Sequence, residues 1–147
     1  MGIKYEEAPD LQIQAEEISK VLFPHVKLDR IKCFRSYGTS SRGTIARCHA
    51  LGKLMQKTIG VKAHYALEFI SERFDKMSEE EKTKVLIHEL MHIPYSFGGG
   101  FKHHDWVTDR NINILYKQYL NLKNNDGNPS LINNEKDKKL GNYFRWN

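Results

Sequence analysis

The sequence predicts an α+β fold in which a small antiparallel sheet packs on one central helix, with further helices near both ends of the chain. Three observations support this class. Apolar residues recur at helical spacing in three segments, two other segments alternate apolar and polar residues, and a helix-start signal stands near residue 78. The 147 residues, 39% hydrophobic and 28% charged, suit one globular domain.

The first predicted helix covers residues 10–23. Asp10 can cap its start, and Pro24 stops it. Its apolar residues at helical spacing are Leu11, Ala15, Ile18 and Leu22.

Two strands are predicted from alternating residues. The first covers residues 26–37, with an irregularity near Asp29, and the second covers residues 61–70. We expect them to pair antiparallel. Between them we expect a Gly/Ser/Thr loop at residues 38–43 and a helix over residues 44–58 that ends before Gly60.

The central helix has the clearest start signal in the chain. Ser78 followed by Glu81 forms a capping box, and Pro94 ends the predicted helix at about Ile93. Three consecutive glycines at residues 98–100 follow, and a last helix is predicted over residues 105–122.

The organisation predicted is a domain over residues 1–122 and an asparagine-rich, mobile tail over residues 123–147. Residues 1–10 hold three acids and no apolar stretch, so no secretion signal is predicted. No apolar run approaches the roughly 20 residues that a membrane span needs. We therefore expect a soluble cytoplasmic protein without membrane contact, in which Cys33 and Cys48 are reduced thiols.

The net charge of +5 permits contact with nucleic acid but does not require it. A clearer signal lies in the central helix, where residues 88–92 read His-Glu-Leu-Met-His. Because residues four apart lie about 6 Å from each other along one face of a helix, His88 and His92 can bind one ion. Zn²⁺ at such a site lowers the pKa of its bound water, and Glu89 can take the proton as general base.

The flanking residues strengthen this interpretation. The helix is apolar nearly all round at this point, so buried histidines and a glutamate are costly unless they are paired or bound to a ligand. One alternative is a buried, hydrogen-bonded His-Glu-His cluster without metal. Another is a metal-stabilised binding module without turnover, for which the positive net charge leaves nucleic acid open as a partner.

A catalytic zinc site usually has three protein ligands, so a third is expected. The candidates from the sequence are His103 and His104, which follow the glycine turn. Asp105 and Asp109 are further candidates, either as ligands or as carboxylates that orient a ligating histidine.

The stretch from Ile31 to Tyr119 resembles the phage/archaeal metallopeptidase family, which is related to the SprT-like zincins. The resemblance is carried by residues 33–36 (Cys-Phe-Arg-Ser), 41–47 (Ser-Arg-Gly-Thr-Ile-Ala-Arg), 65–68 (Tyr-Ala-Leu-Glu), 84–94 (Lys-Val-Leu-Ile-His-Glu-Leu-Met-His-Ile-Pro) and the turn with its histidines at 97–104. It covers about 90 residues and excludes the tail.

The resemblance implies a zincin-like fold and hydrolysis of peptide bonds in a peptide or protein substrate. The relation to SprT-like zincins, some of which act on DNA-bound proteins, also implies association with such proteins as the alternative for a binding module without turnover. Aligning the glycine turns makes His104 the third zinc ligand beside His88 and His92, with Glu89 as the catalytic base. It also implies that the strand over residues 63–70 can pair with extended substrate backbone. An ordinary core strand is the alternative for that segment.

Overall fold

The structure, a computed structural model, describes residues 2–124 of the chain. Its elements in chain order are β1 (Lys4–Glu7), α1 (Pro9–Leu22), a 3₁₀ turn (Leu28–Arg30), β2 (Ile31–Tyr37), β3 (Ala46–Ala50), α2 (Lys53–Ile59), β4 (Tyr65–Ile70), α3 (Ser71–Phe74), α4 (Glu79–Met91) and α5 (Asp109–Asn124). The predicted α+β class is confirmed. The tail predicted for residues 123–147 lies outside the described residues from residue 125 onward.

The strands form one four-stranded sheet in the order β1-β2-β4-β3. β1 pairs antiparallel with β2, and β3 pairs antiparallel with β4. β2 and β4 are parallel, with Ile31 opposite Tyr65 and Ser36 opposite Ile70. The expectation of an antiparallel pair, and of an antiparallel sheet, is therefore wrong. The connection between β2 and β4 contains β3 and α2, and it is long enough to return the chain to the same end of the sheet.

The segment predicted as one helix over residues 44–58 is also different in the structure. Its first part is the edge strand β3, and only Lys53–Ile59 is helical. Ala46, Cys48 and Ala50 alternate with the polar Arg47 and His49, which is the period of a strand. Without this segment the outer edge of β4 would be unpaired, and pairing with it outweighs the local helix propensity.

The two helices predicted most directly from capping and spacing are present. α1 runs from Pro9, with the proline in its first turn, to Leu22. Its N-cap is Ala8, so the prediction that Asp10 caps the helix is wrong, and Asp10 lies in the first turn. α4 begins after Ser78, whose Oγ accepts a hydrogen bond from the Glu81 N–H at 3.2 Å. β1 was not predicted, because its four residues are all exposed and leave no apolar pattern.

The core lies between one face of the sheet and helices α1 and α4, with α5 packed against both helices. The β4 side chains on this face are fully buried: Tyr65, Leu67 and Phe69. Gln12 of α1 fastens the helix to β2, because its amide donates to the Ile31 carbonyl and accepts from the Cys33 N–H. α4 packs on α1 and contacts β3, and its last turn shares a cavity wall with that strand.

The two cysteines are both free thiols. Cys33 on β2 and Cys48 on β3 both stand opposite Leu67 of β4. They are therefore two strand spacings apart, roughly 9–10 Å, which is too far for a disulfide. Among residues 2–124, none of the helices has the length and apolarity that a membrane crossing requires.

Candidate metal centre

Helix α4 presents His88 and His92 on the same face, one helical turn apart. Their ring centroids are 5.0 Å apart. His92 is the residue after the last helical position, yet its φ of −67° and ψ of −18° continue the helical path. The helical backbone at His92 therefore keeps the two imidazoles on the same face of α4.

The third histidine of the cluster is His104, on the loop between α4 and α5. Its ring centroid is 5.6 Å from that of His88 and 4.9 Å from that of His92. One ring nitrogen from each of these three histidines lies within 4.8 Å of the other two. His103 lines the same cavity but does not belong to this cluster. The two predicted fallback ligands, Asp105 and Asp109, are not part of the cluster either.

The loop that carries His104 is held by contacts to its glycines. Gly99 has a φ of +100°, a conformation that favours glycine. The Tyr65 hydroxyl accepts a hydrogen bond from the Gly99 N–H at 2.9 Å and donates one to the Gly100 carbonyl at 2.8 Å. On the other side of the turn, the Gln56 amide donates to the Gly98 carbonyl at 3.0 Å. Both side chains come from distant parts of the sequence, so the turn could be located in the sequence but its contacts could not.

Two hydrogen bonds join the loop directly to His92. The Lys102 N–H donates to the His92 carbonyl at 2.8 Å, and the Lys102 carbonyl lies 2.6 Å from Nδ1 of the His92 ring. A carbonyl can only accept, so Nδ1 carries the proton and donates it. The other nitrogen, Nε2, then keeps the lone pair that a metal ligand needs.

Burial controls the protonation of the two histidines on α4. It lowers the pKa of His88 to about 4, and the neighbouring charges of His92 and His104 act in the same direction. Burial also lowers the pKa of His92. Both imidazoles are therefore neutral near pH 7, which is the form that binds a metal ion.

Glu89 is only 4% exposed and lies beside the cluster, with its Oε1 3.8 Å from Nε2 of His88. Burial raises the pKa of this carboxyl to about 8. Without a positive charge nearby this carboxyl is therefore mostly protonated near pH 7, and it can accept a proton once such a charge favours its ionised form.

A cavity of about 340 Å³ opens over the histidines. Its wall is formed by three residues of β3, by α4 and by the loop: Ala46, Arg47, Cys48, His88, Glu89, His92, Phe101, Lys102, His103 and His104. β3 is the edge strand on this side of the sheet. The hydrogen bonds from Ile70 to Ile45 and from Leu51 to His64 set its register.

This register directs the backbone N–H and C=O groups of Ala46, Cys48 and Ala50 away from β4, toward the free edge. β4, predicted as the strand that pairs with substrate, lies between β2 and β3 and has no free edge. That expectation is corrected: among residues 2–124, the strand beside the cavity whose outer edge is unpaired is β3. The period-two pattern of residues 46–50 was the sequence signal that could have located it.

Glu68 is a second buried carboxylate that sequence reasoning did not single out by itself. It is 2% exposed and lies on the sheet face opposite to the core helices. Its Oε1 accepts from Nε2 of His49 at 2.8 Å and lies 3.8 Å from Nη1 of Arg47. Both partners belong to β3, so Glu68 of the central strand holds the edge strand in place.

The donor set suits a transition metal. Three imidazole nitrogens are ligands that zinc and similar ions prefer, and tetrahedral nitrogens about 2.0–2.1 Å from such an ion lie roughly 3.4 Å from one another. The observed spacing of up to 4.8 Å is within reach of small side-chain rotations. The fixed tautomer of His92, with Nε2 unprotonated, also suits metal binding.

The fold and this site together define an α+β domain with a three-histidine cluster able to bind a metal ion. The chain belongs to the family described as "Putative phage metallopeptidase", which it matches over residues 3–124. The family's description names a peptidase, and a peptidase acts on peptides or proteins. No curated protein matches the chain, and no solved structure matches it.

Proposed function

We propose that this chain is a zinc-dependent peptidase in which His88, His92 and His104 hold the metal and Glu89 is the catalytic base. The observation that carries the proposal is the cluster itself: three histidine nitrogens within 4.8 Å of one another, next to a carboxylate that is 4% exposed. Membership of a metallopeptidase family supports the same activity.

A bound divalent cation would supply a Lewis acid that lowers the pKa of a nearby water and, through its charge, favours the ionised form of Glu89. The protein's own residues supply the rest. Glu89 accepts the proton of the attacking water as the new C–O bond forms. It then delivers that proton to the peptide nitrogen as the C–N bond breaks.

The substrate is proposed to lie extended along β3. Its backbone would pair with the outward N–H and C=O groups of Ala46, Cys48 and Ala50. These three side chains are small and face the core side of the sheet, where the cavity and α4 lie. A peptide on this edge would therefore have its scissile carbonyl close to Glu89 and the histidines.

The test combines metal content with turnover. Purified wild type should contain close to one zinc per chain and cleave a denatured protein such as casein. Glu89→Gln should keep the zinc and lose activity by about 10³-fold or more, because it keeps the shape but not the base.

The same preparation tests the ligands. His104→Ala should lose the metal, whereas His103→Ala should retain it and serve as the matched control. Zinc retained by His104→Ala but lost by His103→Ala would contradict the ligand assignment. A zinc-loaded wild type without turnover on a broad set of proteins would instead support the alternative of a metal-stabilised binding module.

A further inference from the structure

Helix α2 exposes apolar side chains to an unusual degree. None of its seven residues is buried. Leu54 is 78% exposed, Ile59 57% and Met55 48%, and Val61 just beyond the helix is 42% exposed. Successive helical residues turn by about 100°, so the three helix residues lie within an arc of about 140°. They form one continuous apolar surface, which together with Val61 we call the α2 surface.

The charge around the α2 surface has one sign. Residues 24–66 contain nine Lys or Arg and one acid, Asp29, a net charge of +8, whereas the whole chain has only +5. The other 104 residues therefore carry a net charge of −3. Three of the nine, Lys32, Arg35 and Arg47, pair with acids outside this segment, whereas among the described residues the three lysines next to the α2 surface do not. Lys53, Lys57 and Lys62 border the α2 surface and form no ion pair within residues 2–124. An occupant that combines apolar and acidic groups would complement this surface.

The α2 surface adjoins the candidate metal centre. α2 follows the edge strand after two residues, and its Gln56 donates hydrogen bonds to the Leu51 and Gly98 carbonyls. β3 runs from Ala46, at the cavity, to Ala50, beside α2. A chain paired antiparallel with β3 would therefore pass the cavity with its carboxyl-terminal part and reach α2 with its amino-terminal part.

From these observations we propose that the α2 surface is a docking site for an apolar, acidic segment of the protein substrate, on the amino-terminal side of the scissile bond. This inference rests on the proposed peptidase function, whose site it extends. Leu54, Met55 and Ile59 would contact aliphatic side chains, and the three lysines would pair with carboxylates. Nucleic acid needs no aliphatic surface of this kind, since its affinity comes mainly from phosphate contacts.

Binding tests this without turnover. The probe is a fluorescein-labelled 16-residue peptide of alternating Leu and Glu, titrated with the zinc-loaded full chain and followed by anisotropy. We expect saturable binding, weakened about tenfold by the double variant Lys53→Glu/Lys57→Glu, because each exposed ion pair contributes a fraction of a kcal/mol and two are reversed. Leu54→Ser should weaken binding about three- to tenfold through lost apolar contact. Both changes are at exposed positions, and thermal unfolding checks that the fold is kept.

The matched control is Lys76→Glu/Lys117→Glu, which makes the same change in net charge at exposed positions outside residues 24–66. It should change affinity by less than about twofold. Equal weakening by both pairs, or no binding of the Leu-Glu peptide, would overturn the proposal. So would tighter lysine-dependent binding of a Leu-Lys peptide, a 20-base-pair DNA duplex or phosphatidylglycerol vesicles.

The outcome for the docking surface is separate from that for the proposed function. Lysine-dependent peptide binding without any proteolysis would leave the docking surface standing and contradict the peptidase. If the wild type cleaves protein, Glu89→Gln does not, and the Leu-Glu peptide fails to bind, the peptidase stands and the docking surface is contradicted. Where proteolysis occurs, sequencing the cleavage products should show acidic and apolar residues enriched before the cut. In Lys53→Glu/Lys57→Glu that acidic preference should disappear.

Discussion

Removing the Tyr65 hydroxyl should weaken metal binding although Tyr65 is not a ligand. The substitution Tyr65→Phe keeps the ring, which packs with its centroid 4.9 Å from that of Phe97. It deletes the two hydrogen bonds that hold Gly99 and Gly100. Since the turn of residues 98–100 leads into the loop that carries His104, its loss should free the third histidine of the cluster.

The size of the effect follows from these two bonds. A neutral hydrogen bond contributes about 0.5–1.5 kcal/mol net, so the pair contributes about 1–3 kcal/mol. Every 1.4 kcal/mol corresponds to a factor of ten in affinity. Part of the loss falls on the metal-free fold, and we therefore expect zinc affinity to fall about tenfold, within the range typical of residues that orient metal ligands.

Zinc affinity is best measured by competition with a chromophoric chelator, alongside thermal unfolding of the metal-free protein. The matched control is Tyr116→Phe, a half-buried tyrosine of α5 whose hydroxyl has no hydrogen bond among residues 2–124. It should bind zinc as the wild type does. If Tyr65→Phe lowers the unfolding temperature but leaves zinc affinity unchanged, the glycine turn does not position His104 and the reasoning fails.

Three further outcomes are expected. In chemical denaturation, Gly99→Ala should lower the free energy of unfolding by about 1–3 kcal/mol, because φ is +100° and the new Cβ would lie 2.5 Å from both the Gln56 amide and the Leu51 carbonyl. Gly52→Ala is the control, since Gly52 has open space around it, and it should lose less than about 1 kcal/mol. Glu68→Gln removes the anion that holds His49 and Arg47, so amide hydrogen exchange in β3 should become about tenfold faster while exchange in α1 stays unchanged. If β3 exchanges at the same rate in the variant and the wild type, Glu68 does not secure the edge strand. The hydrogen-bonded Arg35 guanidinium holds the pKa of Asp10 below its usual 3.8, so this pair stabilises the fold above pH 4 and its contribution is lost as the pH falls below that. Arg35→Gln should therefore flatten the dependence of unfolding temperature on pH between 4 and 2. An unchanged slope would contradict the coupling.

The parts of the fold that the sequence predicted are those set by neighbours along the chain. α4 follows from its capping residues, and the pair His88 and His92 follows from the helical repeat. β3 was mistaken for helix because its residues are acceptable in a helix and become a strand only by pairing with β4. β1 has no buried residue, so only its partner β2 reveals it.

The same distinction holds at the site. Glu89 and the two helical histidines lie within five consecutive residues, so a motif locates them. The contacts that shape the loop come from Tyr65, which lies 34 residues before its partner Gly99, and from Gln56, which lies 42 residues before its partner Gly98. No local pattern marks such residues. The choice between His103 and His104 came from the resemblance, and the structure places His104 in the cluster while the role of ligand stays a prediction.

The two hydrogen bonds between Lys102 and His92 join the ends of the segment of residues 92–102, so both ends are fixed before any ion binds. Little conformational freedom is then left to lose when the imidazoles converge on a cation, so capture should be fast and entropically inexpensive. The same closure limits how far the third imidazole can drift after an ion departs. A protein of this design could be emptied and refilled many times without unfolding.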